Sequence, residues 1–301
     1  MRLTVTGGAV LAVAALLVAG CAKPAGTDGD LTNNWAAMPE AKIPIPVAKV
    51  CYQVETDNPT TVTKWPASVE CTKGHTVETI HVGTFAGEDA SRPSPPPVGG
   101  AGRHKAYEEC AAQAKTFLGD DWRTGRLDLF LVTPIAQHWE GGARWFRCDL
   151  VEYKDLDTYD IVNRTASLQG GLSGAREAGL GCFQATEKGD SIETMVAADC
   201  SANHNSEFTG IYEAPDGPYQ PDSEARGRRD LEGCKPVTAA YLGIPNDSNL
   251  QYRVGQITFP FGKEDWELGN RGVRCYLWIT SRVLTKSGKG AGTAGFPINY
   301  R

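Results

Sequence analysis

The sequence predicts an α+β fold of two tandem disulfide-stapled repeats, each a small antiparallel sheet with one helix in the order β-β-α-β-β. Three observations lead to this prediction. Apart from Cys21, the cysteines form two sets of four with similar spacing. The pattern Cys-x3-His-x2-Glu begins at Cys71 and again 129 residues later at Cys200. The pattern Trp-Glu-x-Gly-x-Arg-x-x-Arg-Cys precedes the last cysteine of each set, at 139–148 and 266–275. Landmarks that recur in register indicate two copies of one folding unit.

Composition bounds the classes of protein that the chain can represent. Its 301 residues are enough for two domains of roughly 100 to 150 residues each. The hydrophobic share of 41% and the charged share of 22% are typical of a globular protein. A net charge of −6 argues against a nucleic-acid partner, which requires a basic surface.

The N-terminus predicts export and lipid attachment. Arg2 precedes an apolar run at 10–18, which has the length of a signal-peptide core and is too short to span a membrane. The run ends in Leu-Val-Ala-Gly-Cys, which resembles a bacterial lipobox. We therefore expect a signal peptide at 1–20, lipid attachment at Cys21 and a flexible tether at 21–44. An ordinary secretory signal is the alternative. A diacylglycerol would anchor the chain on the extracytoplasmic face of the cell membrane.

The first repeat is predicted at 45–154. A β-branched segment at 45–54 and a segment ending at 80–82 read as strands. A Pro- and Gly-rich loop at 91–102 precedes a helix at 104–118, whose apolar residues recur at helical spacing, with Gly119 as its C-cap. Strands at 127–133 and 144–153 complete the unit.

The second repeat is predicted at 181–287. Its strands end at 212, cover 251–259 and begin at 271, and a loop occupies 215–222. Pro236 follows Cys234 closely, so the helix here is expected to be shorter or to begin at the proline. A polar linker at 155–180 and a tail at 288–301 complete the chain.

Eight cysteines in an exported chain indicate disulfides. Four cysteines allow three connectivities in each repeat. We favour first with second and third with fourth, because these bonds join neighbouring strands and fix the helix to the sheet. The resulting pairs are Cys51–Cys71, Cys110–Cys148, Cys182–Cys200 and Cys234–Cys275. Zinc is the competing explanation, but the chain contains no Cys-x2-Cys pair.

Taken together, these motifs resemble the septum formation family of actinobacterial envelope proteins over roughly residues 47–285. They include the aromatic-Leu-Gly triplets at 117–119 and 241–243. The family usually has proline before the motif histidine, where this chain has Gly74 and Asn203. The resemblance implies an extracytoplasmic, membrane-attached protein linked to cell division, with no established enzymatic activity.

Two histidine–carboxylate pairs are the first candidate functional residues: His75 with Glu78, and His204 with Glu207. We favour a structural role in which each pair satisfies polar groups at the start of a strand. A ligand contact is the second interpretation. Each pair offers only two of the four ligands that structural zinc requires, and His81, which could add a third, is matched by Gly210.

The second candidates are Trp139 with Arg144 and Trp266 with Arg271. Tryptophan and arginine suit recognition of sugars or carboxylates. We favour a structural alternative, in which each tryptophan packs on a disulfide and each arginine pairs with Glu78 or Glu207.

The sequence therefore predicts a non-enzymatic envelope binding or scaffold protein. Its predicted partners are the membrane, through the lipid anchor, and an envelope protein or cell-wall ligand; no cofactor and no nucleic acid are expected. The alternative is a metal-assisted hydrolase that uses the His-x2-Glu pairs.

Overall fold

The computed structural model describes residues 43–56, 58–189 and 191–300. The predicted signal peptide, Cys21 and most of the predicted tether lie outside these residues. The described residues belong to one compact unit, Ile43–Arg301. Below, the first half denotes residues 45–180 and the second half residues 181–300. None of the helices in the described ranges has the length and apolar character needed to cross a membrane.

The first half contains a four-stranded antiparallel sheet in the order β1-β2-β4-β3. Its strands are β1 (Val50–Tyr52), β2 (Val77–Thr84), β3 (Leu127–Val132) and β4 (Trp145–Glu152). All four predicted strands are present. β1 is shorter than the predicted segment at 45–54, because Ile45 and Val47 are exposed on the surface outside the sheet.

The second half contains a five-stranded antiparallel sheet in the order β6-β5-β7-β9-β8. Its strands are β5 (Cys182–Lys188), β6 (Ser191–Ala198), β7 (Ser206–Glu213), β8 (Gly255–Pro260) and β9 (Gly272–Trp278). Without β6, the order is that of the first sheet. β6 was not predicted, because it is an outer strand with mostly exposed side chains and little apolar alternation.

Six α-helices occur in the described residues. They are α1 (Gly87–Ala90), α2 (Ala101–Leu118), α3 (Ala136–Glu140), α4 (Glu224–Leu242), α5 (Lys263–Leu268) and α6 (Gly292–Gly295). Three 3-10 turns lie at Pro59–Thr61, Trp122–Thr124 and Leu250–Tyr252. The α+β class and the two antiparallel sheets are thus confirmed.

Each long helix packs on one face of its sheet. On β4, Phe146, Cys148 and Leu150 share a buried cluster with α2, whereas the intervening residues point to the opposite face. Helix α2 ends at Gly119, whose φ of 90° provides the predicted C-cap, and α4 ends likewise at Gly243 with φ 69°. The aromatic-Leu-Gly triplets therefore mark both helix ends.

The prediction for α4 was wrong, because the helix continues through Pro236 from Ser223, its N-cap, to Gly243. Proline in a helix interior costs about 3 kcal/mol through a lost hydrogen bond and a steric clash. The proline is exposed, while Cys234 and Leu242 are fully buried on either side of it. Packing and the disulfide at Cys234 therefore override the local cost.

The residues predicted as a linker contribute to the first core. Leu168, Leu172 and Ala178 are buried in the same cluster as α2 and β4. At the far end of the chain, Phe296 likewise packs with Leu242 in the core of the second half. Each half therefore includes the loop that follows its last strand.

Contacts join the halves along the start of β3. The Arg274 guanidinium on β9 donates to the carbonyls of Arg123, Gly125 and Leu127 at 3.0 to 3.3 Å. β3 is an edge strand, so its outward carbonyls would otherwise have no partner in the sheet. The rings of Trp122 and Phe261 also meet at 5.2 Å.

Candidate functional site

Four disulfides hold the strands and helices that carry the candidate residues. They join Cys51 to Cys71, Cys110 to Cys148, Cys182 to Cys200 and Cys234 to Cys275, with Cα–Cα distances of 5.2 to 5.5 Å. These are the pairs that the sequence favoured. In each half, one bond fixes the turn before the histidine and the other fixes the long helix to the sheet.

His75 is buried where the chain enters β2. Its backbone exchanges two hydrogen bonds with Arg164, at 2.9 and 2.8 Å. Its ring Nδ1 lies 2.8 Å from the Lys73 carbonyl and so donates to it. Among the described residues, Nε2 has no hydrogen-bond partner, although the residue is only 1% exposed.

Glu78 does not pair with His75. Its carboxylate accepts hydrogen bonds from the Ser167 hydroxyl at 2.6 Å and the Leu168 amide at 2.7 Å. These bonds tie the loop after β4 to β2. Glu78 also borders a surface cleft beside Cys71 and Gln169. Each of its carboxylate oxygens accepts one of the two hydrogen bonds from the loop.

The second half has a more complete version of this cluster. The backbone of His204 exchanges hydrogen bonds with Leu284, as His75 does with Arg164. The ring Nδ1 lies 2.8 Å from the Ala202 carbonyl, and Nε2 lies 2.9 Å from Glu207. Both ring nitrogens are therefore engaged, and the contact between His204 Nε2 and the Glu207 carboxyl group is fully buried.

Glu207 accepts three further hydrogen bonds. They come from the Tyr241 hydroxyl, the Ser287 hydroxyl and the Gly288 amide, at 2.7 to 2.9 Å. Burial, together with the neighbouring Glu207 carboxylate, raises the pKa of Tyr241, so the phenol stays protonated as a donor. With four donors, the Glu207 carboxylate has no free acceptor position for a substrate.

Sequence reasoning missed the loops that hold both carboxylates. They share the pattern Thr-x-Ser-x-x-Gly, at 165–170 and 285–290. The amides of Gly170 and Gly290 donate to the carbonyls of Phe117 and Tyr241, the aromatic residues before each helix cap. The repetition of this pattern, 120 residues apart, was the available signal. The pattern has only three fixed positions, all of common residue types, and it lies in a predicted linker and beside the predicted tail. It was therefore not recognised.

The tryptophan–arginine pairs form matching stacks just before β4 and β9 begin. The Arg144 guanidinium lies 4.2 Å from the Trp139 ring, and that of Arg271 lies 4.1 Å from Trp266. Each arginine also donates to the carbonyl of its tryptophan. Both tryptophans belong to or pack against the cluster that contains the helix–sheet disulfide of their half.

The expected pairing of these arginines with Glu78 and Glu207 is wrong. Arg144 donates to backbone carbonyls, including that of Ala90, and Arg271 pairs with Asp216. The reason is geometric, because the glutamates lie at the start of β2 and β7, whereas each arginine precedes β4 or β9. In these antiparallel pairs, the start of β2 meets the end of β4.

The donor sets do not fit a metal ion. Ligand atoms lie within 4.8 Å of one another in two groups, Cys51/Cys71/Glu78 and Cys182/His204/Glu207. The sulfurs in both groups are oxidised to disulfides, so they are not the thiolates that bind metals. What remains is one carboxylate in the first group and one occupied His–Glu pair in the second. His81 instead contacts Glu109 on α2, at 2.7 Å.

The fold and these clusters define a class: an α+β protein stapled by disulfides, whose two His-x2-Glu motifs lock a returning loop onto a strand. The family model described as Septum formation matches residues 49–275. The chain belongs to this septum formation family. Membership supports a division-related role outside the cytoplasm. Neither a curated protein nor a solved structure matches the chain significantly.

Proposed function

We propose that this protein is a lipid-anchored, extracytoplasmic binding or scaffold protein that acts in assembly of the division septum or the cell wall. The family match is the observation on which the septal role rests. Attachment through Cys21 would hold the folded unit at the extracytoplasmic face of the cell membrane, through the tether at 21–44. The proposed partners are an envelope protein or a cell-wall ligand, and no cofactor is required.

We further propose that the two halves are tandem copies of one unit. Corresponding strands have the same order in both sheets. The corresponding strands β2 and β7 each contain a register shift, at 79–81 and 208–210. The disulfides connect corresponding elements. The serine loops bind corresponding glutamates. The extra strand β6 would be an elaboration of the second copy.

Non-catalytic action is supported by the hydrogen bonds that the two motif glutamates already accept within the protein. Glu207 accepts four hydrogen bonds and Glu78 two, all within the protein. A general base needs a carboxylate or imidazole within reach of a substrate proton. The alternative, a metal-assisted hydrolase using His75/Glu78 or His204/Glu207, would require these clusters to open.

Localisation in dividing cells tests the septal role. A fluorescent fusion to the C-terminus of the full chain should concentrate at division sites. The Cys21→Ser variant is the matched control, because it keeps the signal peptide and the folded unit but removes the proposed lipid attachment. It should be released from the membrane. Uniform distribution of the wild-type fusion along the membrane would refute the septal role.

Two measurements on the purified protein test the chemistry. Mass spectrometry should find a lipid on Cys21 and four disulfides. Elemental analysis should find less than stoichiometric zinc. Stoichiometric zinc whose removal abolishes function would establish the hydrolase alternative instead.

A further inference from the structure

The first sheet has an open groove on the face away from α2. The groove encloses about 480 Å³ and is lined by residues from β1, β3, β4 and the segments at 44–47, 60–68 and 133–138. Its floor is the Arg147 guanidinium, which is 2% exposed and stacks 3.5 Å from the Trp65 ring. Arg147 donates through Nε and Nη2 to Asp149 at 3.0 and 2.8 Å. The Tyr52 side chain also lies beside this guanidinium and its hydroxyl interacts with it.

The rim of this groove is unusually apolar for a solvent-exposed surface. Ile45 is 75% exposed, Val47 63% and Ile135 37%. Pro44, Pro46 and Pro66 lie beside them. Isolated exposed apolar residues are common on protein surfaces, but a cluster around a cavity marks an interaction site.

The corresponding face of the second sheet carries Arg274 and can be compared with this groove. Arg274 occupies the same strand position as Arg147, one residue before the helix–sheet cysteine. Its guanidinium donates to three backbone carbonyls of the segment that enters β3, Arg123, Gly125 and Leu127.

The apolar side chain of Leu156 packs into the same face, against the cluster of Phe183 and Tyr276. Only about 30 Å³ remains there, against about 480 Å³ in the groove of the first half. Leu156 also packs against the cluster of Tyr52 and Val151 on the first sheet, so the difference between the halves is confined to the groove beside Arg147, which stays open.

We propose that the groove of the first half binds an extended peptide segment of a partner protein. Backbone carbonyls of the segment would accept from the Arg147 guanidinium, as those of the segment entering β3 accept from Arg274. Apolar side chains would cover Val47 and Ile135, as Leu156 covers the second sheet. Extended peptides commonly bind through main-chain hydrogen bonds together with side-chain pockets. This proposal deepens and rests on the proposed binding function.

A sugar fits the groove less well. Arg147 covers one face of the Trp65 ring, and Tyr52 packs edge-on against that ring at 4.9 Å. Little ring surface is left to stack on a sugar. The exposed aliphatic side chains and prolines of the rim suit apolar side chains of a peptide better than a sugar, although polar residues such as Lys64 and His138 also line the groove.

Panning a random 12-residue peptide library on the immobilised full chain tests this assignment. Val47→Asp and Ile135→Asp place a charge on the rim, and Val196→Asp on β6 is the matched control, since Val196 is 60% exposed and distant in sequence from the groove. Peptides enriched on the wild-type chain should share apolar positions. Each rim variant should weaken them about tenfold or more, a loss of about 1.4 kcal/mol. The control should change the Kd less than about twofold.

Circular dichroism and thermal unfolding establish that each variant is folded. The proposal is overturned if no peptide is enriched, or if rim and control variants bind equally. It is also overturned if cell-wall disaccharides displace the peptides, or if sedimentation shows a dimer that Val47→Asp dissociates. Loss of septal localisation without loss of peptide binding would instead refute the proposed function and leave the groove assignment intact.

Discussion

At the scale of single residues, the two motif histidines differ in a way that the sequence does not reveal. The repeated Cys-x3-His-x2-Glu pattern made a structural role predictable. It did not show that Nε2 of His204 reaches Glu207 while that of His75 reaches no described residue. The two halves also differ at Tyr241, whose hydroxyl donates to Glu207 and whose counterpart, Phe117, has no hydroxyl.

Substitution of the two histidines should therefore have unequal effects. His204→Ala should lower the free energy of unfolding by about 3 kcal/mol, because it removes two buried side-chain hydrogen bonds and leaves Glu207 without one of its partners. His75→Ala removes a single hydrogen bond with partial loss of packing and should cost about 1 to 2 kcal/mol. Urea unfolding measures both. Equal losses, or a greater loss at His75, would contradict a stabilising role for the contact between His204 and Glu207.

At the scale of secondary structure, local patterns predicted most elements and tertiary packing decided the exceptions. The helical spacing before Gly119 and the β-branched segments around the cysteines identified α2 and most strands. β6 was missed because its exposed side chains leave no apolar period. The interruption expected at Pro236 is absent because the flanking buried residues and a disulfide hold α4 together.

Replacing this proline should stabilise the protein. Pro236→Ala restores a backbone N–H and removes a clash worth about 3 kcal/mol, while the unfolded chain gains about 1 kcal/mol of conformational freedom. We expect a net increase of about 2 kcal/mol in the free energy of unfolding. Gly233→Ala on the same helix is the opposing control, because an added Cβ would lie 2.1 Å from the Tyr212 ring. A neutral or destabilising effect of Pro236→Ala would show that α4 is adapted to the proline.

At the scale of the whole molecule, the recurrence of the sequence motifs was visible and the contact between the two halves was not predictable. Arg147 and Arg274 hold equivalent places in the repeated pattern, yet one pairs with Asp149 and the other binds the edge of the first sheet. Asp149 and Tyr276 follow the two cysteines, and this single difference decides whether the arginine has an internal acceptor. No local period encodes that choice.

Asp128, which lies on β3 near Arg274, should make the stability of the protein depend on pH. Burial raises the pKa of Asp128 to about 7, and nearby Asp265 adds to the effect, while Arg274 and a hydrogen bond from Tyr153 oppose it. The folded protein therefore holds a proton that the unfolded chain releases above its ordinary pKa of 3.8. The contribution of Asp128 to stability falls as pH rises from about 4 to 7 and is constant above.

Asp128→Asn should remove this part of the pH dependence. A shift of this size corresponds to about 4 kcal/mol, and the partial exposure of Asp128 reduces the expected effect to about 2 kcal/mol. The variant should match the wild type near pH 4 and exceed its stability near pH 8. Asp222→Asn, at an exposed carboxylate, is the control. Parallel stability curves for Asp128→Asn and wild type would contradict the assignment.

We propose that the two Cys-x3-His-x2-Glu motifs stabilise the fold, whereas the groove beside Arg147 recognises a partner. The most direct test measures septal enrichment of full-length Val47→Asp and Tyr241→Phe fusions. Tyr241→Phe removes one donor to Glu207, with an expected loss of about 1 to 2 kcal/mol. We predict that Tyr241→Phe keeps its enrichment and Val47→Asp loses it while remaining folded. Normal enrichment of Val47→Asp, with loss in a folded Tyr241→Phe protein, would place recognition at the motif and contradict the claim.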